Sequence, residues 1–161
     1  MTDANAPVSV VFVCWGNICR SPMAERIARA RASAKHHDGI VFTSAGVSSE
    51  ETGNPIDPRA RAVLTRHGYD ASGHRAHRIT AAEIADADLV IGLEPLHVDR
   101  MRKLAPGADH LALLTDFDPD AEPGSGVPDP WYGEADGFED TLAALEAAMP
   151  GILARATSLR R

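Results

Sequence analysis

Within VSVVFVCWGNICRSPMAERI, residues 8–27, a thiol and a guanidinium stand six positions apart, Cys14 and Arg20. An apolar, β-branched run, Val8–Val13, leads into Cys14, and Ser21-Pro22 follows Arg20. Ser at an N-cap with Pro at the first helical position is a helix start, so the thiol and guanidinium bracket one strand-to-helix loop. Such a loop aims backbone N–H groups inward and sets a helix N-terminus at its rim, which makes an anion site. Gly16 lets the backbone close in without a Cβ, and Asn17 is among the few residues that tolerate positive φ. Arg20 adds a planar fork matched to phosphate oxygens. The Lys of G-x-x-x-x-G-K-[ST] is missing, which argues against a nucleotide-binding P-loop. Inward amides and a neighbouring guanidinium favour a thiolate over a thiol. Cys14 is then an anionic nucleophile inside an anion site, suited to attack phosphorus and form a cysteinyl phosphate that water later hydrolyses.

These residues need a strand and a helix to hold them, and the chain supplies both in alternation. Val8–Val13 has the composition of a strand buried on both faces. A helix is expected from Ser21-Pro22 to about Lys35, and IVFTSAG (40–46) reads as a second strand. Asp57-Pro58 repeats the cap pattern and Gly68 ends that helix; ADLVIGL (87–93) and HLALL (110–114) are the third and fourth strands. Phe138, Leu142, Leu145 and Met149 recur at helical spacing, with Pro150 as a kink or break. Strands alternating with helices imply an α/β fold, a single domain whose four-stranded parallel sheet carries helices on both faces. Ligands of such sheets sit beyond the carboxyl ends of the strands, where residues 14–20 fall.

The 161 residues suffice for one domain with a sizeable core, and residues 1–6 read as a flexible N-terminus. Hydrophobic residues make up 44% and charged residues 24%, and no apolar run approaches the ~20 residues of a membrane span. With no basic n-region or apolar h-region at the start, a cytoplasmic protein is expected. The formal charge of −7 argues against nucleic acid as a partner. Acid concentrates between Asp116 and Asp140, and Arg and His between Arg59 and Arg78, which reads as two solvated faces. Two cysteines five positions apart make a poor disulfide framework. Neither a metal nor a cofactor is expected: the cysteines lack a second ligand pair, and DFDPDA from Asp116 lacks the Gly and Glu of a calcium loop.

Taken together, CWGNICRS at 14, SAG at 44, GNPIDPRA at 53, GHRA at 73, FDP at 117 and DPWYG at 129 resemble the low molecular weight protein tyrosine phosphatases, in order and spacing. The resemblance spans nearly the whole chain and implies a doubly wound, flavodoxin-like phosphatase fold over residues 1–161. It implies Cys14 as nucleophile, Arg20 as phosphate ligand and Ser21 as the hydroxyl that hydrogen-bonds the thiolate. Trp15, Gly16, Asn17, Ile18 and Cys19 complete the phosphate loop, with Ser44 and His74 holding its shape together with Asn17. Asp129 is implied as general acid, with Trp131, Tyr132 and Trp15 as walls of the substrate slot. A phenol of pKa ~10 leaves poorly as an anion, so a carboxylic acid beside the ester oxygen is what the chemistry needs. The implied partners are tyrosine-phosphorylated proteins and a cognate tyrosine kinase.

Two positions depart from the family. Trp15 stands where small or aliphatic residues are usual, and SSEET occupies the region near 50 where relatives often carry an aromatic. Trp15 is either a replacement wall or a contact for a partner. Glu94 replaces a common Asp, without the usual Asn two positions on, and is left out of the expected site. An arsenate reductase would need further cysteines outside the loop, which the chain lacks. A protein-arginine phosphatase typically has Thr where Ile18 stands. A non-catalytic phosphotyrosine binder would need neither Cys14 nor Asp129.

Overall fold

The computed structural model describes residues 6–160, so most of the expected flexible N-terminus lies outside the described residues. Four strands form one parallel sheet: β1 (Val8–Cys14), β2 (Ile40–Gly46), β3 (Leu89–Gly92) and β4 (Leu111–Leu113), in the order β2-β1-β3-β4. The helices are α1 (Arg20–Ala34), α2 (Pro58–Arg66), α3 (Ala81–Asp86), α4 (Pro95–Leu104) and α5 (Asp136–Ser158). Short 3₁₀ turns cover Leu114–Phe117 and Pro130–Tyr132.

Alternation along β1 sorts the core into two layers, because successive side chains of a strand face opposite ways. Val8, Val10, Phe12 and Cys14 point into a cluster with Met23 and Ile27 of α1, Val63 and Leu64 of α2, and Phe138, Leu142 and Leu145 of α5. Val11 and Val13 point into a second cluster with Ile84 of α3, Val90 of β3 and Met101 of α4. Helices therefore cover both faces. The chain steps from β1 one way to β2 and the other way to β3, so the order reverses at β1. The crevice of an open α/β sheet opens at that reversal, beyond the strand's carboxyl end, and Cys14 is the last residue there.

The sequence expectations hold for all four strands, within two residues at each end, and for α2, where Asp57 accepts from the Arg59 amide and Pro58 follows as the first helical residue. Three details differ. Ser21 is not an N-cap: α1 already begins at Arg20, Cys19 occupies the cap position with no side-chain bond, and the Ser21 hydroxyl turns to Cys14 and Asn17. Pro150 does not break α5, which continues through it. Pro150 is exposed, so the carbonyl that loses its amide partner there can be hydrated, and a buried stripe on the other face keeps the helix together. The basic and acidic segments are also not two separate faces, because Arg66 and His67 both pair with Glu139 of α5, His67 at 2.8 Å. No helix among the described residues is long and apolar enough to cross a membrane.

Candidate active site

The loop from Cys14 to Arg20 is held from behind by Asn17. Its backbone has φ 62°, a left-handed conformation that lets the chain double back. Its side-chain amide donates to Ser21 Oγ at 2.9 Å and Ser44 Oγ at 3.0 Å, its Oδ1 accepts from the His77 amide at 3.0 Å, and its carbonyl accepts from His74 Nε2 at 2.6 Å. Burial lowers the pKa of His74, which keeps the ring neutral and suited to that single donation. Ser44 in turn donates to Glu25 of α1 at 3.0 Å. The loop's edges are fastened by Val47 N–H to the Cys14 carbonyl, Ser48 N–H to the Trp15 carbonyl and Asp57 N–H to the Ile18 carbonyl, at 2.9, 3.0 and 2.9 Å. Gly46 pairs with Cys14 across the sheet, and a Cβ there would lie 2.7 Å from the Trp15 carbonyl oxygen. Only glycine permits so close an approach.

With the outside of the loop so engaged, its inside is free. Among the described residues the amides of Gly16, Asn17, Ile18 and Cys19 donate to no acceptor, and neither does Arg20 Nε, although Arg20 is 2% exposed. An unmet buried donor such as Arg20 Nε costs about 1–3 kcal/mol, and with the free amides beside it makes a site that an anion would complete. Cys14 Sγ lies 3.0 Å from Ser21 Oγ. Asn17 donates to that oxygen, so the hydroxyl hydrogen points to one of two acceptors, the sulfur at 3.0 Å or the Ala45 carbonyl at 3.3 Å. Cys19 is buried at the start of α1, and burial, followed by the charge of Asp57, pushes its thiol up.

Arg20 is held from the far side of the crevice. Its Nη1 pairs with Glu94 and donates to the Val127 carbonyl at 2.8 Å, and its Nη2 lies 3.5 Å from Asp129 Oδ2. Glu94 follows β3 and caps α4, where His97 Nδ1 accepts from the Glu94 amide at 3.0 Å. Val127 N–H bonds the Leu93 carbonyl at 2.7 Å, which brings the Asp129 loop to the end of β3. Asp129 Oδ1 accepts from the Trp131 amide at 3.0 Å, leaving Oδ2 toward Arg20.

A cleft of about 220 Å³ opens over this arrangement, lined by Cys14, Trp15, Gly16, Ile18, Cys19, Arg20, Glu50, Glu51, Asp129, Trp131 and Tyr132. Asn17, Ser21, Ser44 and His74 stand behind the loop instead. Tyr132 is 89% exposed, so its ring is free to be covered by a ligand. Trp15 lies between Arg100, whose guanidinium is 4.7 Å from its ring centre, and Glu50, whose carboxylate accepts from its indole N–H at 3.3 Å.

Glu94 belongs here, contrary to its omission from the expected site. Its role comes from facing Arg20, which is remote in sequence. Arg59 was also missed. It forks onto Asp57 at 3.2 and 3.1 Å, donates to the Trp131 carbonyl at 3.2 Å, and lies over the Trp131 and Phe138 rings at 5.1 and 4.7 Å. It thus links the phosphate loop, through Asp57, to the segment after Asp129. Nothing in its local sequence announces that role.

Comparison with known proteins agrees with the geometry. The family model for low molecular weight phosphotyrosine protein phosphatases matches residues 9–161. A low molecular weight protein-tyrosine-phosphatase of Streptomyces coelicolor is 43% identical over 150 residues, covering 90% of this chain and 91% of its own. Low molecular weight protein-tyrosine phosphatase A of Mycobacterium tuberculosis is 39% identical over 148 residues, covering 91% and 90%. The crystal structure of YfkJ from Bacillus subtilis superposes with a TM-score of 0.89 at 31% identity, covering 97% of this chain and 98% of that one. The tyrosine phosphatase Wzb of Escherichia coli K30, solved in complex with sulphate, superposes with a TM-score of 0.80 at 28% identity, covering 91% and 96%. With the model spanning almost its whole length and relatives above 30% identity across most of it, the chain belongs to the low molecular weight phosphotyrosine protein phosphatase family.

Proposed function

We propose that the protein hydrolyses phosphotyrosine in proteins, in two steps through a cysteinyl phosphate. The phosphate sits in the loop, accepting from the free amides and from Arg20 Nε. The Cys14 thiolate attacks phosphorus as the bond to the phenolic oxygen breaks, and Asp129 gives its proton to the departing phenolate. Asp129, now a carboxylate, takes a proton from water, whose oxygen attacks the phosphocysteine. Phosphate leaves and the thiolate returns, steadied by the Ser21 hydroxyl. General acid catalysis of this kind is worth ~10²–10⁴-fold. Trp131, Tyr132 and Trp15 wall the aromatic ring. The cysteine chemistry requires no metal or other cofactor.

One observation carries this reading: Cys14 Sγ, bonded to Ser21, shares a cleft with Asp129 and with a loop whose inward donors are unmet. The sulphate complex of Wzb supports it, since sulphate has the tetrahedral shape of phosphate. The test is hydrolysis of p-nitrophenyl phosphate in excess chelator. Turnover that vanadate inhibits and Cys14→Ser abolishes is the expected result. Tight phosphotyrosine binding without turnover would replace the enzyme by a binding module.

A further inference from the structure

A second hollow, about 380 Å³, lies beyond Trp15. Its floor is apolar, formed by Val47, Ile79, Met101 and the 41%-exposed Leu104. Its rim carries Arg78, Arg100 and Lys103. Among the described residues none of these three cations has a carboxylate within ion-pair distance. Two acids near them in sequence are engaged elsewhere, Asp99 by Arg102 at 3.4 Å and Glu83 by His77 at 2.8 Å. On a chain of formal charge −7, three unpaired cations over an apolar floor are a local reversal of sign.

Trp15 and Arg100, in contact with each other, stand between the hollow and the cleft. Arg100 of the hollow's rim stacks on Trp15, which lines the cleft, and Trp15 packs into the same apolar cluster as Val47, Ile79 and Met101. A chain whose phosphate rests on the loop would cross Trp15 and enter the groove. We propose that the groove docks an acidic stretch of the substrate protein on one side of the phosphorylated tyrosine. Its carboxylates meet Arg78, Arg100 and Lys103, and an apolar side chain covers Leu104. The proposal rests on the reading that the substrate is a phosphotyrosine protein. Charge complementarity selects the occupant, and position beside the cleft selects the substrate over an unrelated partner. Glu50 and Glu51 line the cleft's mouth, so the preferred acids lie past Trp15 rather than next to the phosphotyrosine.

The experiment uses three phosphotyrosine peptides, with an acidic cluster on the N-terminal side, on the C-terminal side, or absent. kcat/KM is measured for the wild type and for a variant carrying both Arg78→Gln and Lys103→Gln, with p-nitrophenyl phosphate as control. The wild type should favour one acidic peptide over the neutral one about tenfold at low salt and much less at high salt, as exposed ion pairs are screened. The preference should appear on one side only and vanish in the variant, whose p-nitrophenyl phosphate turnover stays unchanged. Equal rates for the three peptides, or a preference that survives in the variant, would overturn the docking while leaving phosphotyrosine hydrolysis standing. Turnover of p-nitrophenyl phosphate with none of the peptides would remove the phosphotyrosine reading itself, and the docking with it. Equal peptide rates combined with variant-sensitive binding to phosphatidylserine vesicles would reassign the groove to a membrane surface.

Discussion

The two thiols of the loop have different fates because their surroundings differ. Cys14 lies beside the Ser21 hydroxyl and the free amides, whereas burial, and after it the negative charge of Asp57, pushes the Cys19 thiol up. Peroxide therefore meets Cys14 first and converts it to a sulfenic acid. Both cysteines border the same cleft, so the Cys19 thiolate can attack the sulfenic sulfur, expel its hydroxyl as water and form a disulfide. Cys19 must lose its proton to do so, and the bond should form faster as pH rises. After a brief peroxide pulse, dithiothreitol should restore most wild-type activity, while Cys19→Ser should recover far less, with the gap wider at pH 8 than at pH 6.5. Equal recovery would leave Cys19 a packing residue. At this scale, residue type and spacing were enough to single out Cys14 and Arg20, whose groups are chemically distinctive, whereas Asp129, one loop carboxylate among several, came with the resemblance. Glu94 and Arg59 were not legible. A carboxylate or guanidinium acquires its role from what it faces, and both face residues remote in sequence.

The elements were legible where their signals are local. The apolar run of β1 and the Asp57-Pro58 start of α2 are examples. α4 was missed because its cap is Glu94, outside the usual Ser, Thr, Asp and Asn, and α3 because it is only six residues long, although Thr80 and Glu83 form a capping pair. Ser21 was misread because a capping residue and a thiolate partner look alike in sequence. The link between elements that matters most for chemistry is Arg59, which joins α2 to the loop after Asp129. Lysine cannot both fork onto Asp57 and stack on two rings. Arg59→Lys should therefore leave KM nearly unchanged and lower kcat. The loss should be several-fold for phenyl phosphate, whose leaving group needs the proton from Asp129, and smaller for p-nitrophenyl phosphate, whose leaving group does not. Equal losses on both esters would make Arg59 a structural residue without influence on the acid.

For the molecule as a whole, the sheet order is what converts local motifs into a site. Reversal at β1 brings the ends of β1 and β3 side by side, and with them Cys14, Glu94 and the Asp129 loop. Alternating strands and helices implied a parallel sheet, but the strand order was not legible, because periodicity carries no information on which strands are neighbours. The packing of the Arg66–His67 segment on α5 was hidden for the same reason. One consequence is thermodynamic. His97 is fully buried behind Glu94, and burial, followed by the nearby charge of Arg20, pushes its pKa from the usual 6.5 down to about 3. Above pH 6.5 the ring is neutral whether the chain is folded or not. Below it the unfolded chain takes up a proton that the folded one refuses, so stability falls by up to about 1.4 kcal/mol per pH unit until about pH 3. Urea unfolding should show the wild type losing about 2 kcal/mol more than His97→Asn between pH 7 and pH 5. Asn retains an acceptor for the Glu94 amide without the titration, so parallel losses in the two proteins would refute this origin of acid sensitivity.

The account turns on a covalent bond between Cys14 and phosphorus, and the direct measurement is to trap it. Phenyl phosphate labelled in its phosphoryl group is mixed with excess enzyme, quenched in acid within the first turnover, and the protein is digested and mapped by mass spectrometry. The expected result is one labelled peptide, the one carrying Cys14, with the label accumulating before free phosphate appears and absent in Cys14→Ser. Phosphate released in a single turnover with no label on the protein, or label carried by another residue, would contradict the mechanism.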